Sequence, residues 1–416
     1  MIDRNIGSAK DNMNSAIHNW YKFTAGFSYK FVDVIVDGLA KRPSCIYEPF
    51  AGCGTTLVEA QKMGINSIGN ESQRLMCDII NAKLNWEIDE NLLNYCLSDI
   101  ETHCCSKKVY NHPTLIHPLL YTLFDEESLQ VIYIIRDYIR TIDDEKIRLF
   151  LNLALSQALH KIAIHPIAVP YISRSKTLTN SGDALNKFLS IVSHMKNDIQ
   201  SLPHRKRYAE VFNNDSRKKN SQIEDGECDL CITSPPYLNN LDYGEVSKVH
   251  THFFEYTSNW NDITKNVRHG LVTGATTHYR DAEFDLSNFE KSEFTTNNRT
   301  LFEELKTRFY KIKENASLRA GKKSFHILMM LYFQDMYNVL AEMRRVLRQE
   351  SHAFLILGDS APYGIHIPTT QFLGEIAQSV GFGDFKIYKI RSRGNKWKGL
   401  SNRHNIELSE NILELS

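Results

Sequence analysis

No stretch of the 416 residues approaches the ~20 uninterrupted apolar positions that a membrane helix needs, which argues against a membrane-spanning protein. The first residues, with Asp3, Asn5 and Lys10, lack the apolar core of a secretory leader, so a cytoplasmic location is expected. The 8 cysteines have no framework spacing, which disfavours a disulfide scaffold and fits free thiols in a reducing compartment. Cys228 and Cys231 form a C-x-x-C, but zinc needs two more ligands and His103-Cys104-Cys105 is the other candidate group; no metal site is expected. An internal repeat and a low-complexity tract are missing as well. So is an excess of charge: 49 Lys and Arg balance 49 Asp and Glu. The length and ordinary apolar content allow a large buried core, as one domain with insertions or as two domains.

Overall neutrality conceals an uneven distribution along the chain. His204-Arg205-Lys206-Arg207 and Arg217-Lys218-Lys219 bracket Asp215. Further on, Lys386, Lys389, Arg391, Arg393, Lys396, Lys398 and Arg403 follow one another without an intervening acid, with Trp397 among them. Basic residues interleaved with an aromatic suit a phosphate backbone, although a solvated strand and loop carries the same pattern.

Two motifs stand out against this background. The first, Ile46-Tyr47-Glu48-Pro49-Phe50-Ala51-Gly52-Cys53-Gly54-Thr55-Thr56-Leu57, reads as a strand, a glycine turn and a helix start. Gly52 and Gly54 let the backbone approach a ligand, and Thr55 and Thr56 are expected to cap the helix that follows. The pattern departs from a dinucleotide fingerprint: Leu57 stands where a third glycine belongs, and Glu48 precedes the turn. A carboxylate there repels a pyrophosphate and favours a cation, such as the sulfonium and ammonium of S-adenosylmethionine. Glu71 lies 19 positions beyond Gly52, at the end of the next strand, where a carboxylate accepts ribose hydroxyls.

The second motif is Ser234-Pro235-Pro236-Tyr237, entered from the apolar Leu230-Cys231-Ile232. Each proline fixes its φ and removes an N–H, leaving carbonyl oxygens as acceptors for an exocyclic amine. Tyr237 adds a face on which a flat heterocycle stacks, worth roughly 1–3 kcal/mol per base.

Together these motifs resemble the amino-methyltransferases that act on DNA, whose cofactor loop reads D/E-P-F-x-G-x-G-T-T and whose catalytic loop reads S/D/N-P-P-Y/F/W. Ile17 to Phe27 is similar to the aromatic segment that these enzymes close over the methionine end of the cofactor, and Asn214-Asp215-Ser216 to the acidic turn after the third strand. The resemblance implies an α/β fold: a Rossmann-like class I methyltransferase sheet, mostly parallel with an antiparallel last strand. It implies S-adenosyl-L-methionine held by Tyr21, Phe27, Glu48, Phe50, Gly52, Gly54, Thr55, Thr56, Glu71 and Asp215, and catalysis by Ser234, Pro235, Pro236 and Tyr237. The implied partners are double-stranded DNA and, in a restriction-modification system, an endonuclease acting on the same site. The run from Thr233 to Asn239, TSPPYLN, resembles the serine-containing subgroup that mostly methylates the N4 amine of cytosine. Some serine-loop members act on adenine N6, which is the first alternative. A guanine-N2 RNA methyltransferase and a non-catalytic DNA-binding subunit follow, and a nicotinamide oxidoreductase is disfavoured by the missing third glycine. No proline–cysteine dipeptide occurs, so the thiolate route of ring-carbon methylation has no evident nucleophile.

The segments expected are 1–85, carrying the aromatic segment and first half of the core; a helical insertion at 86–205, a candidate for target recognition; 206–250 with the catalytic loop; a loop-rich insertion at 251–320, a candidate DNA contact; and 321–416, the rest of the core. In the first insertion, Leu129, Ile132, Ile135, Tyr138 and Ile139, then Ile147, Phe150, Leu151, Leu155, Ala158 and Leu159, keep helical spacing, with Asp125 and Asp143 as expected N-caps and a further helix from Ala184 to Ile199. A surface loop is expected around His278 to Thr296. Beyond it come a helix from Met336 to Leu347, a strand from Ala353 to Asp359, a helix from Thr369 to Ser379, and antiparallel strands at Phe385 to Arg391 and Ile406 to Leu415.

Overall fold

The computed structural model describes residues 6–23, 25–106, 116–167, 172, 176–178, 182–202, 208–239, 241–318, 323–393 and 406–416. The basic groups 204–207 and 396–403, and Thr24 of the aromatic segment, lie outside them. Seven strands form one sheet: β1 Cys45–Glu48, β2 Asn66–Glu71, β3 Ala209–Asn213, β4 Cys228–Thr233, β5 Leu347–Gly358, β6 Phe385–Arg393 and β7 Leu408–Leu415. Their order is β3-β2-β1-β4-β5-β7-β6. The first five run parallel, and β7 lies antiparallel between β5 and β6. This is the mostly parallel Rossmann-like sheet with a reversed last strand that the sequence led one to expect.

The strands alternate sides as a pleated chain must. Ala353, Leu355 and Leu357 of β5 join one apolar cluster with Cys231, Leu413 and Leu415, whereas Phe354 and Ile356 join the other with Leu230, Ile232 and Ile412. Both faces are therefore covered. Helices α1 (Lys30–Gly38) and α2 (Thr55–Met63) supply Phe31, Val32, Val36 and Ala60 to the second cluster, and α3 (Arg74–Leu84) follows β2.

The first insertion carries α4 (Glu90–Cys105), α5 (Pro118–Tyr121), α6 (Glu126–Arg140), α7 (Glu145–Ile162) and α8 (Ala184–Gln200). The apolar stripes of α6 and α7 are buried against one another and against Leu75, Met76 and Ile79 of α3. Asp125 caps α6 by accepting from the Ser128 N–H at 2.8 Å. The cap of α7 is Asp144, which accepts from Ile147 N–H at 2.8 Å, and not Asp143. Two adjacent aspartates offer the same side chain, and the one used is Asp144, the residue directly before the first helical residue, Glu145.

Helix α9 (Tyr243–Phe253) follows the loop that leaves β4, and α10 (Trp260–Asn266) opens the second insertion. The stretch expected as a surface loop holds a 3-10 turn at Asp281–Glu283 and the short helices α11 (Leu286–Phe289) and α12 (Glu293–Asn297) between its loops. Helix α13 (Arg299–Ser317) then packs with α14 (Phe325–Val346), which starts eleven residues before the expected Met336, and α15 (Thr369–Ser379) completes that layer.

Candidate active site

The sheet order opens a crevice at one point of its edge. From β1 the chain passes to β2 on one side, while β4 pairs with β1 on the other, so the turns after β1 and β4 open a crevice at a topological switch point. After β1, Gly52 (φ +54°) and Gly54 (φ +84°) take left-handed conformations. Gly54 is itself the N-cap of α2, without a side-chain cap, which corrects the capping role expected of Thr55 and Thr56. Thr56 instead turns inward: its hydroxyl donates to Glu48 Oε2 and reaches the Ile232 carbonyl of β4 at 3.2 Å, tying the two turns together. Thr55 faces the crevice. A Cβ at Gly54 would lie 3.1 Å from Ile80 Cγ1, so the turn also needs glycine for close approach to α3.

Glu71, the last residue of β2, is 8% exposed, accepts the Gly52 N–H at 2.8 Å through Oε2 and accepts the Gln73 N–H at 2.9 Å through Oε1. Its carboxylate thereby fixes the glycine turn. Burial pushes its pKa up to about 7 against these backbone donors. Burial likewise pushes Glu48 up to about 8, against hydrogen bonds from Thr233, Thr56 and the Phe50 backbone.

Gly52, Thr55 and Glu71 border a cleft that is open to solvent. Of the residues singled out in the sequence, Phe27, Phe50, Gly52, Thr55 and Glu71 line it from the cofactor-loop side. Asp215, Ser234 and Pro236 line it from the turns after β3 and β4. Tyr21, Glu48, Gly54, Thr56, Pro235 and Tyr237 are not in its wall. Tyr21 packs edge-on against His160 and His250 in the core of the helical insertion, and Glu48 lies behind the turn. No Lys, Arg or His is among the lining residues, which include the carboxylates of Glu71 and Asp215.

Residues that the sequence did not single out complete the wall: Gln73, Tyr243, and Gly270, Leu271 and Val272 from the second insertion. A salt-bridge network holds this insertion segment in place. Arg217 donates to Asp215 through Nε and Nη2, each at 2.9 Å, and through Nη1 to Asp335 at 3.1 Å. Asp335 also accepts from the Thr273 N–H and hydroxyl at 2.9 and 2.7 Å. The cation of Arg217, read in the sequence as one of a phosphate-binding cluster, is thus spent inside the fold.

In the loop after β4, the Ser234 hydroxyl donates to the Ile356 carbonyl at 3.1 Å. The buried Tyr332 hydroxyl donates to the Pro236 carbonyl at 3.0 Å and fixes that peptide. Tyr237 is half-buried, its hydroxyl donates to Glu410 Oε1 at 3.1 Å, and the Arg393 guanidinium lies 5.0 Å from its ring centroid. Burial, then the Glu410 charge, holds the phenol well above its ordinary pKa. Cys228 Sγ faces Cys45 Sγ on the neighbouring strand at 2.9 Å.

The cleft fits S-adenosylmethionine on its own chemistry. Among the described residues the wall holds no basic side chain, which disfavours phosphate; the buried Glu71 carboxylate has acceptor capacity beyond the Gly52 and Gln73 N–H groups, and the glycine turn admits close backbone approach. No family model matches the chain. It is similar to the type II methyltransferase M.BsoBI of Geobacillus stearothermophilus, 23% identical over 459 residues that span 99% of this chain and 87% of that protein. It is also similar to the type II methyltransferase M.MvaI of Kocuria varians, 20% identical over 383 residues, 86% of this chain and 78% of that protein. This likeness, reaching over nearly the whole chain, supports a DNA methyltransferase of the restriction-modification kind.

Proposed function

We propose that the chain is a site-specific DNA methyltransferase that transfers the methyl group of S-adenosylmethionine to the N4 amine of a cytosine flipped out of duplex DNA. The observation that carries this reading is one cleft walled by the buried Glu71, the glycine turn and Ser234 and Pro236, with no cationic side chain among the described residues of its wall. When bound, S-adenosylmethionine supplies a methyl group activated by its sulfonium.

The chain's own residues bind and orient. Glu71 accepts the ribose hydroxyls, and Asp215, held by Arg217, accepts the adenine amine. Phe27 and Phe50 supply apolar walls. Ser234 and the Pro235 carbonyl orient the hydrogens of the target amine so that its lone pair faces the methyl, which is the proximity and alignment contribution. Tyr237 stacks on the extruded base and offsets an unpairing cost of a few kcal/mol. A strong base is unnecessary, because the nitrogen becomes acidic once methylated and loses its proton late. The serine of the loop is the ground for cytosine over adenine. Base sequence is read by the insertions, and the partner in a restriction-modification setting is an endonuclease cutting the same unmodified site in the cytoplasm.

The test is to incubate the protein with methyl-labelled S-adenosylmethionine and unmodified DNA or RNA, digest to nucleosides and identify the labelled species by mass spectrometry. N4-methylcytosine is expected. N6-methyladenine would keep the mechanism and correct the base, label in RNA alone would overturn the substrate, and cofactor binding without transfer would make the chain a non-catalytic subunit. In the same assay Tyr237→Ala is expected to lose most turnover with cofactor affinity retained.

A further inference from the structure

The last strands of the sheet reach into the catalytic loop through one carboxylate. Glu410 on β7 is 3% exposed, and a charge so buried needs partners. One is Arg391, whose Nε lies 2.6 Å from Glu410 Oε2. The other is the Tyr237 hydroxyl, 3.1 Å from Oε1. The ladder sets this row: Gly358 of β5 and Arg391 of β6 both register with Glu410. At Gly358 a Cβ would stand 3.3 Å from Tyr237 Cε2 and 2.4 Å from Arg393 Nη1, so glycine there leaves room for the tyrosine and the arginine over it. The Pro236 carbonyl, pinned by Tyr332, fixes the backbone one residue earlier. Gly358 and Arg393 pack against the Tyr237 ring, and Glu410 accepts its hydroxyl.

We propose that Glu410 is a positioning residue for the methyl-transfer step, holding the Tyr237 ring by its hydroxyl in the orientation that stacks the target base. This rests on the reading of Tyr237 as the stacking platform. Glu410 touches neither base nor cofactor in this scheme and acts through the ring alone. A hydrogen bond to a charged acceptor that fixes one rotamer is worth about tenfold in rate when removed.

The experiment compares Tyr237→Phe, Glu410→Gln, Glu410→Ala and the double variant Tyr237→Phe with Glu410→Ala, measuring kcat and KM for DNA and calorimetric affinity for S-adenosylmethionine. Tyr237→Phe and Glu410→Ala are each expected to lower kcat about tenfold with cofactor affinity unchanged, and the double variant to be no worse in kcat than either, because both remove the Tyr237–Glu410 hydrogen bond and the Arg391 pair lost with Glu410 bears on stability. Glu410→Gln, which keeps an acceptor, is expected to recover most of kcat. Additive losses, or wild-type kcat in Tyr237→Phe, would overturn the proposal. Should Glu410→Ala fail to fold, Glu410→Gln and Tyr237→Phe still decide it, since both leave the strand packing intact. Full turnover in Tyr237→Ala would remove the stacking reading itself, whereas loss in that variant with normal Tyr237→Phe would remove the positioning role alone.

Discussion

Replacing Glu71 separates cofactor binding from folding better than any other change in the cleft. In the folded protein its carboxylate takes one N–H from Gly52 and one from Gln73, at 2.8 and 2.9 Å. Glu71→Ala leaves two buried donors without their acceptor, each costing about 1–3 kcal/mol. Against this, a carboxyl raised by burial from 4.5 to about 7 costs about 3 kcal/mol to ionise, and that cost disappears with it. The two offset, so the cofactor-free protein should change in stability by no more than about 2 kcal/mol. Cofactor affinity has no such compensation, because two charge-assisted acceptors for the ribose vanish together. A loss of about 3 kcal/mol, or roughly 100-fold in Kd, is expected. Calorimetric titration with S-adenosylmethionine measures the affinity and thermal unfolding without cofactor measures the fold. An affinity within about threefold of wild type would refute the ribose role of Glu71.

Three other outcomes are expected. Burial raises Glu71 to about 7 and Glu48 to about 8, above an unfolded carboxyl near 4.3, so their protons stabilise the folded state fully below about pH 4 and that contribution is lost as pH rises through 7 to 8. The melting temperature of the cofactor-free protein should therefore fall from pH 6 to 9, while cofactor affinity, which needs the Glu71 carboxylate, should rise from pH 6 to 8 and lose that rise in Glu71→Gln; a flat wild-type affinity profile would contradict the assignment. Arg136→Ala should cost about 3 kcal/mol, because the buried guanidinium donates to the Phe253 carbonyl at 2.9 Å and lies 4.2 Å from the Tyr133 ring centroid, and a loss under about 1 kcal/mol by denaturant titration would show that this contact is not what docks α9 on the helical insertion.

The parts of the fold that were legible in the sequence are those where local chemistry and tertiary role agree. The glycine turn is readable because positive φ at Gly52 and Gly54 demands a residue without Cβ. Helix α15 begins and ends where its apolar spacing does, and the stripes of α6 and α7 are periodic because they are buried. Helix α4 went unread because only Leu93, Cys96 and Ile100 of its sixteen residues are buried, too narrow a stripe to separate from noise. The choice between Asp143 and Asp144 turns on a single residue of phase, which composition does not carry. In the cleft, Glu71 is recognisable by its distance from Gly52, but Gly270, Leu271 and Val272 reach the wall through the Arg217–Asp335 network from some 200 positions away, and nothing in their local pattern marks them. The fate of Arg217 makes the same point: a cation in a basic run is indistinguishable in sequence from one that neutralises Asp215.

The central claim is that this chain modifies one short DNA sequence at cytosine N4, and it is tested most directly by producing the protein in a host without DNA methylation and reading modified bases across its genome at single-base resolution. The expected result is near-complete N4-methylcytosine at one recurrent motif and nowhere else, strongly reduced in Tyr237→Ala. An unmodified genome from cells in which the protein is folded and binds S-adenosylmethionine would contradict the account.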